Sequence, residues 1–228
     1  MLNITTHGSV AVLAMDNPPV NALGLGLRKA LMAALDDLKV KAGDGLTAVV
    51  ITGSPKVFSA GADITEFGSP AQEPSLRAVI AAIEAMPVPV VAAIQGVAFG
   101  GGLELALGCD ARVGWAGAKL GLPEVKLGLL PGAGGTQRLP RVVGLERALS
   151  MIVTGNPIGA AEAAECGLVD TLLDGVYPDA AVEWARGLKD RCPARDREDA
   201  LEPARADPGL IDRIAAPLLK ASAAAAPR

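Results

Sequence analysis

One acidic residue, Glu104, interrupts an otherwise uncharged segment of 25 residues, and this segment most restricts how the chain can fold. The segment runs from Ala85 to Cys109 and reads AMPVPVVAAIQGVAFGGGLELALGC. Burial of an unpaired carboxylate costs several kcal/mol unless the group takes up a proton. Pro87, Pro89 and the glycines favour a buried strand, a turn and a helix over a membrane span.

A second acid, Glu124, follows in a stretch rich in glycine and leucine, and Gly100, Gly101 and Gly102 stand just before Glu104. Two carboxyl groups in different surroundings can give and take protons in one reaction. Glycine lets a ligand approach the backbone closely and adopts unusual dihedral angles. The pattern therefore suggests proton transfer beside a backbone site for an anion.

The same residues also fit purely structural roles, and the residues alone leave these alternatives open. The three glycines can serve only to turn a strand tightly into a helix. Glu104 can be a buried acid that is paired with an arginine such as Arg112. Glu124 can be a solvated loop acid beside Lys119 and Lys126.

The composition indicates a single α/β domain that does not bind nucleic acid. A chain of 228 residues can bury one sizeable core, and half of its residues are hydrophobic while only 3% are aromatic. Small aliphatic side chains favour closely packed α/β layers. The net charge of −4 and the lack of a Lys/Arg-rich run argue against a nucleic-acid partner.

The cysteines and the single histidine exclude further classes of site. Cys109, Cys166 and Cys192 lack the spacing of metal ligands, so we expect reduced thiols, no metal and a cytoplasmic location. The N-terminus has no basic segment followed by an apolar block, so no secretory signal is expected. A Ser-His-Asp or Cys-His mechanism would have to use His7, which sits in an ordinary N-terminal strand turn.

Apolar strands alternate with helical patterns, without hairpin dipeptides, which predicts parallel strands. The predicted strands are Val10–Met15, Ala48–Thr52, Val88–Ile94 and Ala111–Trp115. The predicted helices are Leu23–Lys39, Ser75–Met86, a helix from Leu103, Gln137–Val143 and Leu145–Thr154. We place the core domain at 1–190, followed by a charged, solvated helical segment and an Ala/Pro-rich, linker-like tail within 191–228.

Three motifs, FSAGADITEF, AAIQGVAFGGGLELALGCD and LGLPEVKLGLLPGAGGTQRLPR, in this order and spacing, strongly resemble the crotonase superfamily. Residues 5–175 look most like enoyl-CoA hydratases, especially the hydratase part of the multifunctional fatty-acid β-oxidation proteins. The resemblance implies an α/β fold, a crotonase-like spiral of ββα units, with a single core domain and a shortened helical C-terminus. It also implies addition of water across the 2,3 double bond of a 2-enoyl-CoA to give 3-hydroxyacyl-CoA.

The resemblance assigns roles to four positions of the chain. The backbone N–H groups of Ala62 and Gly101 match the family's oxyanion hole, which stabilises charge on the thioester oxygen in the transition state. Glu104 and Glu124 match the two hydratase glutamates. We expect Glu104 chiefly to hold and activate water and Glu124 to donate a proton to C2.

The resemblance also implies how the chain binds its acyl-CoA substrate. Backbone groups would hold CoA, and the backbone N–H of Gly132 would lie near the attacking water. The expected substrate-binding positions are Val20, Ala22, Leu23, Ala60, Asp63, Ile64 and Gly132. GAGGTQ lacks the third glycine of a dinucleotide fingerprint and follows no apolar strand, so we expect no nicotinamide cofactor.

Two departures from the family pattern leave alternatives. Asn17 and Thr65 stand where many members carry basic residues, so Arg28, Lys29 or Lys56 would have to hold the CoA phosphates. The C-terminus is shorter than in stand-alone hydratases, which predicts self-association, as in the family's trimers and hexamers, or contact with a dehydrogenase domain. Alternative functions are a Δ3-Δ2 enoyl-CoA isomerase and a non-catalytic acyl-CoA-binding module, without membrane partners in either case.

Overall fold

The strands of the protein form two sheets. The computed structural model describes residues 1–66, 68, 70, 72–207 and 209–225, with side chains described to residue 217. The predicted C-terminal region 191–228 therefore includes positions 208 and 226–228 that lie outside the described residues. The strands are β1 (Leu2–His7), β2 (Val10–Met15), β3 (Ala48–Thr52), β4 (Val57–Ser59), β5 (Val90–Ile94), β6 (Val97–Phe99), β7 (Ala111–Gly114), β8 (Lys119–Gly121), β9 (Ile158–Gly159) and β10 (Thr171–Leu172).

The helices lie mostly between and after these strands. The α-helices are α1 (Leu25–Lys41), α2 (Leu76–Glu84), α3 (Gly101–Leu107), α4 (Gly135–Val143), α5 (Leu145–Thr154), α6 (Ala160–Glu165), α7 (Asp179–Arg186), α8 (Glu202–Ala206) and α9 (Leu210–Ala225). Short 3-10 helices span Ala42–Asp44, Ile64–Glu66, Pro123–Leu127, Ala194–Asp196 and Asp199–Leu201. Among the described residues, we find no helix that is long and apolar enough to cross a membrane.

The larger sheet has the strand order β1-β2-β3-β5-β7-β10, and the smaller has the order β4-β6-β8-β9. β3 and β5 are the central parallel strands of the larger sheet, and every residue of both is buried. Alternate side chains point to opposite faces of a strand. Val49 and Ile51 therefore join the main core, whereas Val50 packs in a second cluster that includes Val182 of α7. Burial of both faces explains why these strands are apolar throughout.

The predicted elements are found with shifts of a few residues at their ends. The N-terminal pairing differs from the prediction, because β1 and β2 form an antiparallel hairpin. The chain reverses at Gly8-Ser9, a two-residue hairpin signal that the prediction of parallel strands overlooks, and the φ of 65° at Gly8 suits glycine. β8 and β9 are also antiparallel, whereas the remaining strand pairs are parallel.

The C-terminal region differs from our expectation of a solvated segment followed by a linker. Arg191 and Arg195 bind the buried carboxylates of Asp110 and Glu84, which fastens this charged segment to the core. The Ala/Pro-rich stretch after Ala215 continues as α9 to Ala225, although it contains a proline. Alanine has the highest helix propensity, which accounts for helix where we expected linker.

The fold places α3 at the centre of the site. β6 ends at Phe99, the chain turns at Gly100, and α3 starts with Gly101. All residues of α3 are buried, and α2 and α4 pack against it. Glu104 lies in the middle of this short helix, so the lone acid of the apolar segment is buried as expected.

Candidate active site

A cavity of about 420 Å³ lies at the N-terminal end of α3, and it brings together the predicted catalytic residues. Backbone from the glycine-rich turns forms one side, and aliphatic side chains form much of the rest. Its lining consists of Ala60, Gly61, Ala62, Ile64, Ser75, Leu76, Arg77, Gly100, Gly101, Glu104, Pro123, Glu124, Leu127, Leu129, Leu130, Gly132 and Ala133. Residues that lie up to 73 positions apart in the sequence therefore line one space.

Glu104 is held by backbone hydrogen bonds. Only 3% of the residue is exposed, and its Oε1 accepts the N–H groups of Ala133 at 2.7 Å and Gly135 at 2.8 Å. Burial raises the pKa of this carboxyl, while the two N–H groups and the charges of Arg138 and Arg77 act in the opposite direction. The group is thus fixed in orientation and more easily protonated than an exposed glutamate.

The structure pairs Glu104 differently from the arginine-bound alternative. Arg112, the arginine considered as its partner, is fully buried and binds Asp170 at 3.2 Å and the carbonyl of Leu168 at 2.8 Å. Glu104 instead uses main-chain donors from the loop that precedes α4. A carboxylate that is held by backbone N–H groups keeps a second oxygen for another ligand.

Glu124 lies across the cavity in a looser setting. It belongs to the 3-10 helix Pro123–Leu127, and its Oε2 is buried without a hydrogen-bond partner among the described residues. Burial, aided by the nearby charge of Glu104, raises the pKa of Glu124 to about 7. Lys126, considered as its companion, donates to Asn156 at 3.1 Å. Glu124 is therefore poised to be partly protonated at neutral pH.

Gly100 makes room for Glu124. Its φ of 51° and ψ of −126° belong to a region that side-chain-bearing residues rarely adopt. A Cβ at this position would lie 3.2 Å from Oε1 of Glu124. The turn into α3 thus needs glycine both for its dihedral angles and for the approach of the carboxyl group.

Ala62 and Gly101 both line the cavity, and their backbones lie close together. A Cβ built on Gly101 would lie 3.4 Å from the nitrogen of Ala62. Within the described part of the chain, neither N–H has a hydrogen-bond acceptor. Gly101 is also the first residue of α3, where the helix carries partial positive charge. Two free donors beside a helix N-terminus can stabilise a developing oxyanion.

The expected substrate-binding positions divide into two groups. Ala60, Ile64 and Gly132 line the cavity. Val20 lies next to it, because its carbonyl accepts the N–H of Ala60 at 3.0 Å. The backbone of Leu23 is already engaged, since its N–H donates to the carbonyl of Gly61 at 2.8 Å and its own carbonyl accepts Arg28.

The remaining two positions make contacts within the protein. The carbonyl of Ala22 accepts the side-chain amide of Asn17 at 2.9 Å, and the Asp63 carboxylate accepts both the N–H and the hydroxyl of Thr65. Arg28, considered for the CoA phosphates, is buried and paired with Glu66 at 2.7 Å. Lys29 and Lys56 are exposed, so they remain the candidates for phosphate binding.

Sequence reasoning missed the residues that hold Glu104. The N–H groups that hold the acid come from Ala133 and Gly135, and Arg138 contacts the same loop. The Gly132 carbonyl accepts Arg77 at 2.6 Å, and the expected place of the Gly132 N–H near the water stays a prediction. The motif LPGAGG in front of a predicted helix was the available signal, since glycine-rich loops before helices present backbone N–H groups.

The comparisons with known proteins identify a family. The family model described as enoyl-CoA hydratase/isomerase matches residues 5–197. A peroxisomal bifunctional enzyme of Homo sapiens is 42% identical over 219 residues, which is 94% of this chain and 29% of that protein. A probable enoyl-CoA hydratase of Bacillus subtilis is 47% identical over 175 residues, which is 74% of this chain and 67% of that protein.

Solved structures share the fold. The enoyl-CoA hydratase from Bacillus anthracis is 33% identical and has a TM-score of 0.75, covering 96% of this chain and 89% of that one. The chain spans only about a quarter of the length of several curated bifunctional relatives, such as the 24% of the peroxisomal enzyme of Danio rerio. The predicted crotonase-like α/β fold is confirmed, and the chain belongs to the enoyl-CoA hydratase/isomerase family.

Proposed function

We propose that this chain adds water across the 2,3 double bond of a 2-enoyl-CoA to give 3-hydroxyacyl-CoA. One observation carries the proposal: two carboxyl groups in different surroundings and two free backbone N–H groups line a single cavity. This is the set of groups that conjugate addition of water to a thioester needs, namely a base, an acid and an oxyanion site. The names of the family and of its B. subtilis member support the same reaction.

The oxyanion site would be formed by Ala62 and Gly101. As water attacks C3, negative charge develops on the thioester oxygen, which we place between the two N–H groups. One such donor is worth about 3 kcal/mol of transition-state stabilisation. Neither donor would have to give up an acceptor within the protein, because both N–H groups are free within the described residues.

The proton transfers would be divided between the two glutamates. Oε1 of Glu104 is occupied by two N–H groups, so we assign the nucleophilic water to its Oε2. An O–H bond of water breaks and its proton passes to Glu104 as the C3–O bond forms. The proton on Glu124 moves to C2 and completes the addition. A pKa of about 7 suits this donor, because a useful fraction of Glu124 is protonated at neutral pH.

The acyl-CoA would lie along the rim of the cavity. We propose backbone contacts for CoA at Val20, Ala22, Leu23, Ala60, Asp63 and Ile64, with Gly132 nearer the water. Ala60 and Ile64 are exposed residues that line the cavity, so they support this placement more strongly than Leu23, which is buried and whose backbone is engaged. Exposed leucines of the lining, Leu127 and Leu130, offer an apolar surface for the acyl chain.

The first test is the loss of the conjugated enoyl absorbance when the protein is mixed with crotonyl-CoA. Wild-type protein should bleach this absorbance, whereas Glu124→Gln should do so far more slowly. Arg147→Gln, which removes a half-buried arginine paired with Glu162 outside the cavity, serves as the matched control and should keep wild-type activity. Tight acyl-CoA binding without turnover of short, medium or long chains would instead identify a non-catalytic acyl-CoA-binding module.

A second candidate is Δ3-Δ2 enoyl-CoA isomerisation at the same cavity. The free Oε2 of Glu124 favours it, because isomerisation needs only one acid that takes a proton from one carbon and returns it to another. Assay with a 3-enoyl-CoA separates the two reactions. An isomerase should lose its activity in Glu124→Gln but keep it in Glu104→Gln, whereas a hydratase depends on both residues.

The setting of the chain is also a proposal. Hydration is redox-neutral and uses only acid–base chemistry, so we propose that the reaction needs no cofactor apart from the CoA of the substrate. We also propose contact with a dehydrogenase domain or self-association; the greater length of the bifunctional relatives supports a neighbouring domain. Free thiols at Cys109, Cys166 and Cys192 support a cytoplasmic location.

A further inference from the structure

Arg138 connects the catalytic loop to a buried acid outside the cavity. It lies on the first turns of α4, and its Nε donates to Oε1 of Glu84 at 2.8 Å. Its Nη1 donates to the carbonyl of Ala133 at 3.1 Å. Ala133 donates its own N–H to Glu104. Ala133 therefore links Arg138 to the proposed base through two hydrogen bonds.

The guanidinium also packs directly on the backbone of the same loop. A Cβ built on Gly134 would lie only 2.0 Å from Nη1 of Arg138, and Gly134 has a φ of 105°. Only glycine fits a position that combines this dihedral angle with such a close neighbour. The backbone of the loop at Gly134 and the guanidinium of Arg138 are therefore complementary in shape.

Glu84, the partner of Arg138, is itself held from the other side. The residue is 3% exposed, and its Oε2 binds Arg195 at 3.2 Å. Arg191 donates to the Glu84 carbonyl at 2.9 Å. A buried carboxylate between two cations is expensive to disturb, which makes it a firm anchor for the guanidinium.

We infer that Arg138 is a positioning residue: anchored by Glu84, it fixes the 133–135 loop so that the N–H groups of Ala133 and Gly135 orient the carboxylate of Glu104. The inference rests on the proposed function for its kinetic consequence only. Its structural consequence, the state of Glu104 in the free protein, can be measured without turnover.

The charged groups around Glu104 determine how its pKa should respond when Arg138 is lost. Arg77 faces it from α2, Arg138 from α4 and Glu124 from the 3-10 helix across the cavity. Arg112 of β7 is paired with Asp170. Loss of Arg138 should therefore raise the pKa of Glu104 further, because one stabilising cation and the loop's N–H groups would both be weakened.

The experiment compares Arg138→Gln and Arg138→Lys with wild type, and uses Arg147→Gln as the matched arginine control. The first readout is kcat and KM for crotonyl-CoA. The second is titration of the side-chain carboxyl carbons in protein labelled with ¹³C-glutamate, with the Glu104 signal assigned by its loss in Glu104→Gln. Arg138→Gln should lower kcat by about ten- to a hundred-fold with little change in KM, because small displacements of catalytic groups have effects of this size.

Arg138→Lys tests the role of geometry. Lysine keeps the charge, but it cannot reproduce the planar fork that reaches Glu84 and the Ala133 carbonyl together. It should still lower kcat and raise the pKa of Glu104, but by less than Arg138→Gln, because the charge is kept while the N–H groups of the loop are weakened. Wild-type kcat in Arg138→Lys, or wild-type kcat and titration in Arg138→Gln, would overturn the positioning role. If Arg138→Gln does not fold, Arg138→Lys decides by the same criteria.

The titration keeps this inference separate from the proposed function. Wild-type protein that fails to hydrate crotonyl-CoA would count against the function. The inference would still stand if Arg138→Lys, which keeps the charge, raised the pKa of Glu104 while Arg147→Gln did not. An unshifted Glu104 signal in Arg138→Gln would contradict the inference in an active or an inactive protein.

Discussion

Glu104 and Glu124 face the same cavity but belong to contrasting regions of the molecule. Glu104 lies on a fully buried helix and is gripped by two backbone N–H groups. Glu124 lies on a 3-10 turn followed by exposed leucines, and one of its oxygens has no partner within the described residues. Both acids have raised pKa values from burial, yet only the first is fixed in place.

The contrast shows how one residue type can be given two tasks. A base that must aim a water molecule gains from rigid orientation, which backbone donors supply. An acid that must release its proton gains from a high pKa and an unoccupied oxygen. The surrounding backbone, and not the carboxyl group itself, therefore divides the work between these two residues.

The largest expected effect comes from Glu104→Gln, which removes the acid that the two backbone N–H groups fix in place. Glutamine can still accept the N–H groups of Ala133 and Gly135, but it cannot take a proton from water. We expect kcat for crotonyl-CoA to fall about 10³- to 10⁴-fold with folding intact. Steady-state kinetics measure the loss, and calorimetry of acyl-CoA binding should give near wild-type affinity. A fall of less than tenfold would show that Glu104 is not the base.

Glu124→Gln should have the next largest effect. The loss should be about 10²- to 10³-fold, smaller than for Glu104, because Glu124 is half-buried and solvent can partly replace it. In the wild type, kcat/KM should decline as the pH rises above about 7, since the donor then loses its proton. The residual activity of Glu124→Gln should lack this decline. A pH profile that is unchanged by the substitution would assign the proton donor elsewhere.

The sequence predicted the parts of this site that are local in the chain. The lone charge of the apolar segment indicated that Glu104 is buried, and the glycines before it indicated a turn into a helix. The family motifs then supplied Ala62 and Glu124. Each of these signals depends on residue type within a few positions, and each is therefore visible without a structure.

The sequence could not supply the contacts that cross between segments. Arg138 looks like an ordinary charged residue of an amphipathic helix, and only the packing of α4 and α2 against α3 brings it to Glu84. The charged segment after residue 190 looks solvated because its partners, Glu84 and Asp110, lie about 80 to 110 positions earlier. Composition identifies charge, but the neighbour that neutralises the charge is set by the tertiary structure.

A smaller effect is expected from Gly100→Ala, which alters the backbone that lies between the two acids. Alanine would be strained at a φ of 51° and would press on Oε1 of Glu124. We expect a loss of about 1–3 kcal/mol in the free energy of unfolding, measured by urea denaturation, together with reduced kcat. Gly117→Ala is the matched control, because a Cβ there meets nothing within 4 Å. Equal stability of the two variants would show that the turn tolerates a side chain.

The smallest expected effect is a pH dependence of the free energy of unfolding that is caused by titration of Glu124. Folding raises the pKa of Glu124 from its ordinary value of 4.5 to about 7, so the folded protein binds more protons than the unfolded chain between these values. The stabilising contribution of Glu124 to the free energy of unfolding is therefore complete below pH 4.5 and declines as the pH rises to about 7. Because the group is partly exposed, the decline should be on the order of 1 kcal/mol.

Urea denaturation of wild type and Glu124→Gln between pH 4.5 and 8 measures this decline. The variant should gain stability relative to wild type as the pH rises, because its amide never pays the cost of a buried charge. Glu165→Gln, which removes an exposed carboxylate at the end of α6, should show no such gain. A constant difference between wild type and Glu124→Gln across this range would mean that Glu124 is ionised as easily in the folded protein as in the unfolded chain, and the contrast with Glu104 would then rest on orientation alone.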